Sequence, residues 1–236
     1  MNALWKAVLL FDIDGTLIRC GGAGGRALEA ALQMEFGVPK VQSVALHGRT
    51  DFGIMNELLV LHGLAASEQN RKQLMQRYFS LLPDHLRCSQ VDKKACRLPG
   101  VVELLDRLSE LDEMVTGLMT GNLPASAKIK LGHFQLWDYF QVGIYGDQVD
   151  HRPMMAVAAS QTLATECGIS AADHRVVVIG DTPLDIQLAQ SMGARCLAVC
   201  TGGYTADELI ESGADRVVDD LSATEELLDW FCQKCL

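Results

Sequence analysis

The chain has 236 residues, of which 49% are hydrophobic and 21% charged, and its formal net charge is −10. This composition is ordinary for a globular protein, and the length suggests one large domain or a core with a smaller insert. Phosphate backbones and anionic lipid surfaces repel such an acidic surface, so we expect no nucleic-acid and no membrane partner. No apolar run approaches the roughly 18 residues of a membrane span. The first residues lack a secretion signal, so we expect a cytoplasmic protein.

Short, continuous apolar runs alternate with longer segments of helical spacing. Such runs predict strands that are covered on both faces, because a half-exposed strand would alternate polar and apolar residues. In chain order, the runs lie at 7–11, 114–119, 142–145, 176–179 and 196–199, and helical segments lie at 101–110, 124–132, 154–167, 183–192, 206–212 and 223–235. This alternation predicts an α/β fold with a doubly wound parallel sheet.

The segment between the first two predicted strands reads as helical almost throughout. Apolar residues recur there at helical spacing over 27–36, 51–62 and 68–86. An insert of roughly 75 residues is too long for a simple connection between strands. We therefore predict an all-helical cap domain over 21–97, inserted into a core domain formed by 1–20 and 98–236. Glycine and proline clusters at 21–25 and 98–100 are candidate hinges.

Polar residues follow four of the predicted strands at the points where the strands end. In a parallel sheet these ends meet at one edge, where ligands bind. The residues concerned are Asp12 and Asp14, then Thr120, Gly121 and Asn122, then Arg152, and finally Asp181 and Asp185. Carboxylates brought close together cannot all stay ionised without a counter-charge. Oxygen ligands in that number suit Mg²⁺, so we predict a Mg²⁺ site to which Arg152 adds a second positive charge.

The spacing within two of these motifs suggests work on a phosphate ester. Asp12 and Asp14 are two residues apart, so an extended chain would place both on one face, about 6.6 Å apart. One could then attack a phosphorus atom while the other reaches the leaving oxygen. The hydroxyl of Thr120 lies just before a helix that Pro124 opens, and a helix N-terminus can cradle a phosphate. The alternative is a plain helix cap by Asn122.

These motifs resemble those of the haloacid dehalogenase-like hydrolase superfamily, in particular phosphatases of the phosphoglycolate phosphatase and β-phosphoglucomutase type. The resemblance covers about residues 6–220, and its specific motifs are Asp-Ile-Asp-Gly-Thr-Leu at 12–17 and Gly-Asp-Thr-Pro-Leu-Asp at 180–185. It implies a Rossmann-like core with a helical cap. It also implies that Asp12 is the nucleophile, which forms an aspartyl-phosphate, and that Asp14 is the general acid and then the general base.

The same resemblance implies the remaining roles. Thr120, Gly121 and Asn122 would hold the phosphoryl oxygens. Mg²⁺ would be bound by Asp12, by the backbone carbonyl of Asp14 and by Asp181, with Asp185 acting through water or behind the direct ligands. The family usually has a lysine where this chain has Arg152, and arginine keeps the charge and can grip a phosphate with two N–H groups. Lys128 and Lys130 are less suited to replace that lysine, because they lie on a helix that has already begun.

The cap should determine specificity. His47-Gly48-Arg49-Thr50-Asp51 is a polar break between two predicted helices, and Arg49 is a candidate to bind the non-reacting end of the substrate. The alternative is a helix cap by Thr50 or Asp51, with Arg49 in solvent.

The predicted function is therefore Mg²⁺-dependent hydrolysis of a phosphomonoester in a small phosphorylated metabolite. A sugar-phosphate phosphotransferase or mutase would share the first chemical step. A phospho-accepting signalling module is less favoured, because such modules are about half this length and lack the helical insert. A non-catalytic binding protein is disfavoured, because idle buried carboxylates cost stability.

Overall fold

A six-stranded parallel sheet forms the centre of the molecule. The computed structural model describes residues 7–147 and 149–232. The strands are β1 (Ala7–Phe11), β2 (Ile18–Arg19), β3 (Cys96–Arg97), β4 (Met114–Thr120), β5 (Val142–Tyr145), β6 (Val176–Gly180), β7 (Arg195–Val199) and β8 (Arg216–Val218). The sheet runs in the order β5-β4-β1-β6-β7-β8, and all its pairings are parallel. Since β1 lies between β4 and β6, the residues after these three strands are neighbours.

Helices cover both faces of this sheet. They are α1 (Ala23–Phe36), α2 (Asp51–Leu61), α3 (Glu68–Val91), α4 (Val101–Ser109), α5 (Pro124–His133), α6 (Ala156–Thr162), α7 (Pro183–Met192), α8 (Ala206–Glu211) and α9 (Thr224–Cys232). Within β1, Leu9 and Phe11 pack in one hydrophobic cluster, while Val8 and Leu10 pack in the cluster on the opposite face. This two-sided burial explains why the strands are continuously apolar. The predicted doubly wound α/β fold is confirmed.

Two features of the strands were missed in the sequence. The edge strand β8 has only three residues, all half-buried, so it gives no continuous apolar run. The two-residue strands β2 and β3 pair antiparallel, with Ile18 opposite Arg97 and Arg19 opposite Cys96. They join the two chain segments that lead into and out of the helical insert.

The insert contains the three predicted helices, α1, α2 and α3. Helix α1 packs along α3, and α3 also packs against α5 beside the sheet. Buried residues of the insert, among them Leu32 and Leu74, belong to the same hydrophobic cluster as Leu9 and Phe11 of β1. The division into a core (1–20 and 98–236) and a cap (21–97) stays a prediction, and its outermost residues, 1–6 and 233–236, lie outside the described chain. Among the described residues, no helix is long and apolar enough to cross a membrane.

Candidate active site

The turn after β1 brings the first acidic motif against the end of β6. The N–H of Asp12 donates a hydrogen bond to the carbonyl of Ile179 at 2.8 Å. Gly15 has a φ of +93°, and a Cβ at this position would lie 2.4 Å from Asp181 Oδ2. Only glycine fits such a conformation and such a contact, so Gly15 allows this turn to close onto Asp181.

Three buried carboxylates meet beyond the ends of β1 and β6. Asp12, Asp181 and Asp185 each offer one carboxylate oxygen, and these atoms lie within 4.8 Å of one another. Asp181 follows β6 and accepts a hydrogen bond from the Thr16 hydroxyl at 3.2 Å. Asp185 lies in the first turn of α7, where its Oδ2 accepts from the N–H and the hydroxyl of Thr182 at 3.1 and 2.8 Å. We call these three residues the carboxylate triad.

Arg152 supplies a positive charge to the carboxylate triad. It lies on a short 3₁₀ turn, Arg152–Met155, which follows β5 in the chain, and its side chain is buried. Its Nη2 lies 2.8 Å from Asp12 Oδ1, forms an ion pair with Asp185 Oδ1, and donates to the carbonyl of Met119 at 3.0 Å. The arginine that the sequence singled out therefore contacts Asp12 directly.

One positive charge does not balance three buried carboxylates. Burial raises the pKa of Asp12 to about 6, although Arg152 opposes this. Burial, together with the charges of Asp12 and Asp185, raises the pKa of Asp181 to about 8. Moreover, Asp185 Oδ1 is fully buried and accepts no hydrogen bond from the described residues, so it meets Arg152 only as an ion pair. A hard divalent cation with oxygen ligands would supply the missing charge, so this donor set fits Mg²⁺.

Asp14 has a different set of partners. Its Oδ2 accepts hydrogen bonds from Lys130 Nζ at 2.5 Å and from Asn122 Nδ2 at 3.0 Å. Burial alone would raise the pKa of Asp14, but Lys130 and these hydrogen bonds hold it below its usual value. The Asp14 side chain does not belong to the carboxylate triad. This agrees with its expected role as a ligand through the backbone carbonyl, which stays a prediction.

Lys130 is the charged residue that the sequence reasoning set aside. It lies on the buried side of α5 with Ser126, Ala127 and Leu131, and its side chain is 6% exposed. The available signal was its position: a lysine one turn after Ser126 and beside Leu131 falls on the stripe that faces the interior. It contacts Asp14 rather than Asp12, so it does not duplicate Arg152.

The segment after β4 places its three predicted residues near Asp14. The buried hydroxyl of Thr120 accepts hydrogen bonds from the N–H and the Nδ2 of Asn122 at 3.3 and 2.8 Å. Asn122 does not cap α5, because Leu123 occupies the cap position without a side-chain bond of its own. Instead, Asp51 Oδ2 accepts from the Leu123 N–H at 3.0 Å and from the Ser126 hydroxyl at 2.7 Å.

The loop before α2 approaches this segment through its backbone. A Cβ on Gly121 would lie 2.2 Å from the carbonyl oxygen of Arg49, and the Asp51 N–H donates to the Gly121 carbonyl at 2.7 Å. The Thr50 hydroxyl caps α2 by accepting from the Gly53 N–H at 3.1 Å. The Arg49 guanidinium is paired with Glu57 at 2.6 Å. A direct role of Arg49 in substrate binding stays a prediction.

A cavity of about 430 Å³ opens over these residues. Asp12, Asp14, Arg152 and Asp181 line its polar end, together with Gly121, Asn122, Lys130 and Arg49. The insert contributes several largely apolar side chains to the lining, among them Leu28, Leu46, Met55 and Tyr78, and the segment 201–203 also contributes. All the predicted site residues except Thr120 and Asp185, which lie buried behind the surface, therefore border one cavity.

The chain belongs to the haloacid dehalogenase-like hydrolases, because the model of that family matches residues 9–199. This match spans β1 to β7 and includes every residue of the candidate site. The predicted enzyme class, a haloacid dehalogenase-like phosphatase, is confirmed at this level.

Named relatives and solved structures agree with this assignment. The chain is 28% identical over 209 residues to a phosphoglycolate phosphatase of Yersinia pseudotuberculosis, covering 87% of this chain and 86% of the relative. It is 26% identical over 222 residues to a Dickeya dadantii protein named probable phosphatase IndB, covering 92% and 91% of the two chains. The crystal structure of a predicted phosphoglycolate phosphatase from Haemophilus somnus superposes with a TM-score of 0.66 at 16% identity, covering 95% and 98%. That likeness concerns the fold.

Proposed function

We propose that this protein is a Mg²⁺-dependent phosphomonoester hydrolase that acts on a small phosphorylated metabolite through an aspartyl-phosphate on Asp12. One observation supports this above all: Asp12 is both a member of the carboxylate triad and the partner of Arg152, and it faces a cavity that Asp14 also lines. A nucleophile, a counter-charge and a separate proton donor are thus within reach of one bound phosphate.

The reaction would proceed in two displacements. In the first, a carboxylate oxygen of Asp12 forms a bond to phosphorus, the bond from phosphorus to the ester oxygen breaks, and Asp14 gives its proton to that leaving oxygen. In the second, water attacks phosphorus, Asp14 takes a proton from the water, and Asp12 is released as a carboxylate beside inorganic phosphate. Splitting one hard displacement into two easier ones is the general advantage of a covalent intermediate.

The other site residues would hold the phosphoryl group and balance its charge. Asp12, Asp181 and the Asp14 carbonyl would hold Mg²⁺, with Asp185 acting through water or behind them, and the ion would neutralise charge on the transferring group, as phosphoryl transfer requires. Arg152 neutralises the carboxylates around Asp12. The Thr120 hydroxyl and the N–H groups of Gly121 and Asn122 are the proposed phosphate cradle at the start of α5.

The cavity size supports a small substrate. Its volume of about 430 Å³ lies at the low end of the range for small-molecule sites. The insert residues 21–97, which we propose as the cap, contribute the apolar wall. Phosphoglycolate is a natural first compound to test, because a relative covering most of this chain carries the name phosphoglycolate phosphatase.

The test is phosphate release from a panel of small phosphate esters, with and without Mg²⁺. We expect Asp12→Asn to abolish turnover, whereas Asp229→Asn, a matched change at an exposed carboxylate of α9, should leave the rate unchanged. Hydrolysis by Asp12→Asn at the wild-type rate would exclude the covalent mechanism. Activity that a chelator does not change would exclude the metal, and isomerisation without phosphate release would favour a mutase. A stable aspartyl-phosphate without turnover would favour a signalling module.

A further inference from the structure

The contacts of Asp14 are divided unequally between its two oxygens. Oδ2 accepts from Lys130 Nζ at 2.5 Å and from Asn122 Nδ2 at 3.0 Å. The buried Cys20 thiol also donates a hydrogen bond to the Asp14 carboxylate, and the Asp14 side chain is 40% exposed and lines the cavity. Two nitrogen donors therefore hold Oδ2, while part of the carboxylate stays exposed to a ligand in the cavity.

Lys130 also determines the orientation of the Asn122 amide. Lysine has three donors and no acceptor, so the Asn122 atom that it contacts at 2.6 Å must be the acceptor Oδ1. The Nδ2 group then points the opposite way, where it donates to Asp14 Oδ2 and to the Thr120 hydroxyl at 2.8 Å. Both nitrogen donors to Asp14 Oδ2 thus depend on Lys130, one directly and one through Asn122.

We infer that Lys130 is a positioning residue that holds Asp14 by its Oδ2, so that the exposed part of the carboxylate faces the leaving group of the substrate. This inference rests on the proposed function, because it assigns Lys130 to the proton-transfer step of that reaction. When Asp14 gives its proton to the leaving oxygen, the new negative charge forms on a carboxylate whose Oδ2 already meets an ammonium group. Lys130 exchanges no proton itself, so the step stays balanced between Asp14 and the leaving alcohol.

The nature of the leaving group separates this role from a merely structural one. A poor leaving group, such as the alkoxide of an alkyl phosphate, needs a proton donor, whereas 2,4-dinitrophenolate leaves without one. General acid catalysis typically contributes about 10²–10⁴-fold. We expect Lys130→Met to lower kcat/KM about 100-fold for an alkyl phosphate and less than about 10-fold for 2,4-dinitrophenyl phosphate. A loss through general disorder of the site would be equal for both esters.

Two controls complete the design. Lys128→Met, at an exposed lysine two residues earlier on α5, should leave both kcat/KM values unchanged. In an Asp14→Asn background, Lys130→Met should cost less than about 3-fold, because the group that it positions can no longer give a proton. If Lys130→Met does not fold, Lys130→Gln, which keeps an N–H but loses the charge, serves for the same comparison of esters.

The outcomes distinguish this inference from the function on which it rests. Equal losses for the two esters, or a full loss in the Asp14→Asn background, would overturn the role of Lys130 and leave the phosphatase proposal intact. A wild-type protein that hydrolyses neither ester with Mg²⁺ would overturn both. A larger loss for the alkyl phosphate that disappears in the Asp14→Asn background supports the inference.

Discussion

Gly121 allows the closest backbone contact between the insert and the segment after β4, so a methyl group there should be costly. In Gly121→Ala the new Cβ would lie 2.2 Å from the Arg49 carbonyl oxygen, 2.9 Å from its carbon and 3.0 Å from Thr50 Cα. Ordinary contact begins near 3.4 Å, so the Arg49 carbonyl must retreat by about 1.2 Å. All three obstructing atoms are backbone, and no flexible side chain can absorb the clash.

This displacement of the Arg49 carbonyl should lower the free energy of unfolding. Overpacking of this kind typically costs about 1–3 kcal/mol. The hydrogen bond from the Asp51 N–H to the Gly121 carbonyl, 2.7 Å long, would stretch as the loop withdraws, which adds about 1 kcal/mol. A total loss of about 2–4 kcal/mol corresponds to a Tm lowered by about 4–16 °C in a chain of this size.

Thermal unfolding followed by circular dichroism measures this effect, and Gly132→Ala provides the matched control. Gly132 lies on α5, and a Cβ there would meet nothing within 4 Å. Replacing a helical glycine by alanine at an open position should raise stability by about 0.5–1 kcal/mol. The two glycine-to-alanine changes should therefore shift Tm in opposite directions. A Gly121→Ala protein as stable as the wild type would show that the Arg49–Thr50 backbone does not lie against Gly121 in solution.

Two further predictions concern Asp51 and the metal-free site. Asp51→Ala leaves the Leu123 N–H without its acceptor and removes one of the two acceptors of the Ser126 hydroxyl, so unfolding by urea should show a loss of about 1–3 kcal/mol. Asp51→Asn keeps an acceptor oxygen and should lose less than half as much. Burial raises the pKa of Asp12 to about 6 and of Asp181 to about 8, so the folded protein binds protons that the unfolded chain has already released. In the presence of a chelator, the free energy of unfolding should therefore fall as pH rises from about 4 to 8. Asp181→Asn should flatten this fall in Tm and Mg²⁺ should reverse it; a Tm that rises with pH in the chelator would contradict the assignment.

The sequence predicted the location of the site because the location depends on strand order and strand ends. Asp12 and Asp181 are distant in the chain, but each directly follows a run of residues that is continuously apolar. Such runs pair inside a parallel sheet, and β1 and β6 are neighbours with Phe11 opposite Ile179. Once two adjacent strands end in aspartates, their side chains must lie close together. The catalytic roles of these residues stay predictions.

The partners that come from helices and loops were harder to predict. Lys130 and Asp51 reach the site only because α5 and α2 pack where they do, and the helical pattern of one segment does not reveal its tertiary neighbours. For Arg49, the sequence pointed to the guanidinium, but the contacts with the core come from other groups. The backbone of Arg49 lies against Gly121, and the Asp51 carboxylate accepts from the Leu123 N–H. The Arg49 guanidinium pairs with Glu57.

Charge balance separates two kinds of carboxylate that the sequence motif presents as equivalent. Asp14 meets one ammonium group at 2.5 Å, so its charge is balanced within the protein and its pKa is held below the usual value. The carboxylate triad has only the single positive charge of Arg152, so its negative charge is not fully balanced. The pKa values of Asp12 and Asp181 are accordingly raised. A site with such a deficit is suited to bind a cation, whereas Asp14 is stabilised as a carboxylate by Lys130 without one. The pKa values of the two aspartates of one short motif therefore shift in opposite directions, because burial dominates at Asp12 whereas Lys130 stabilises the charge of Asp14.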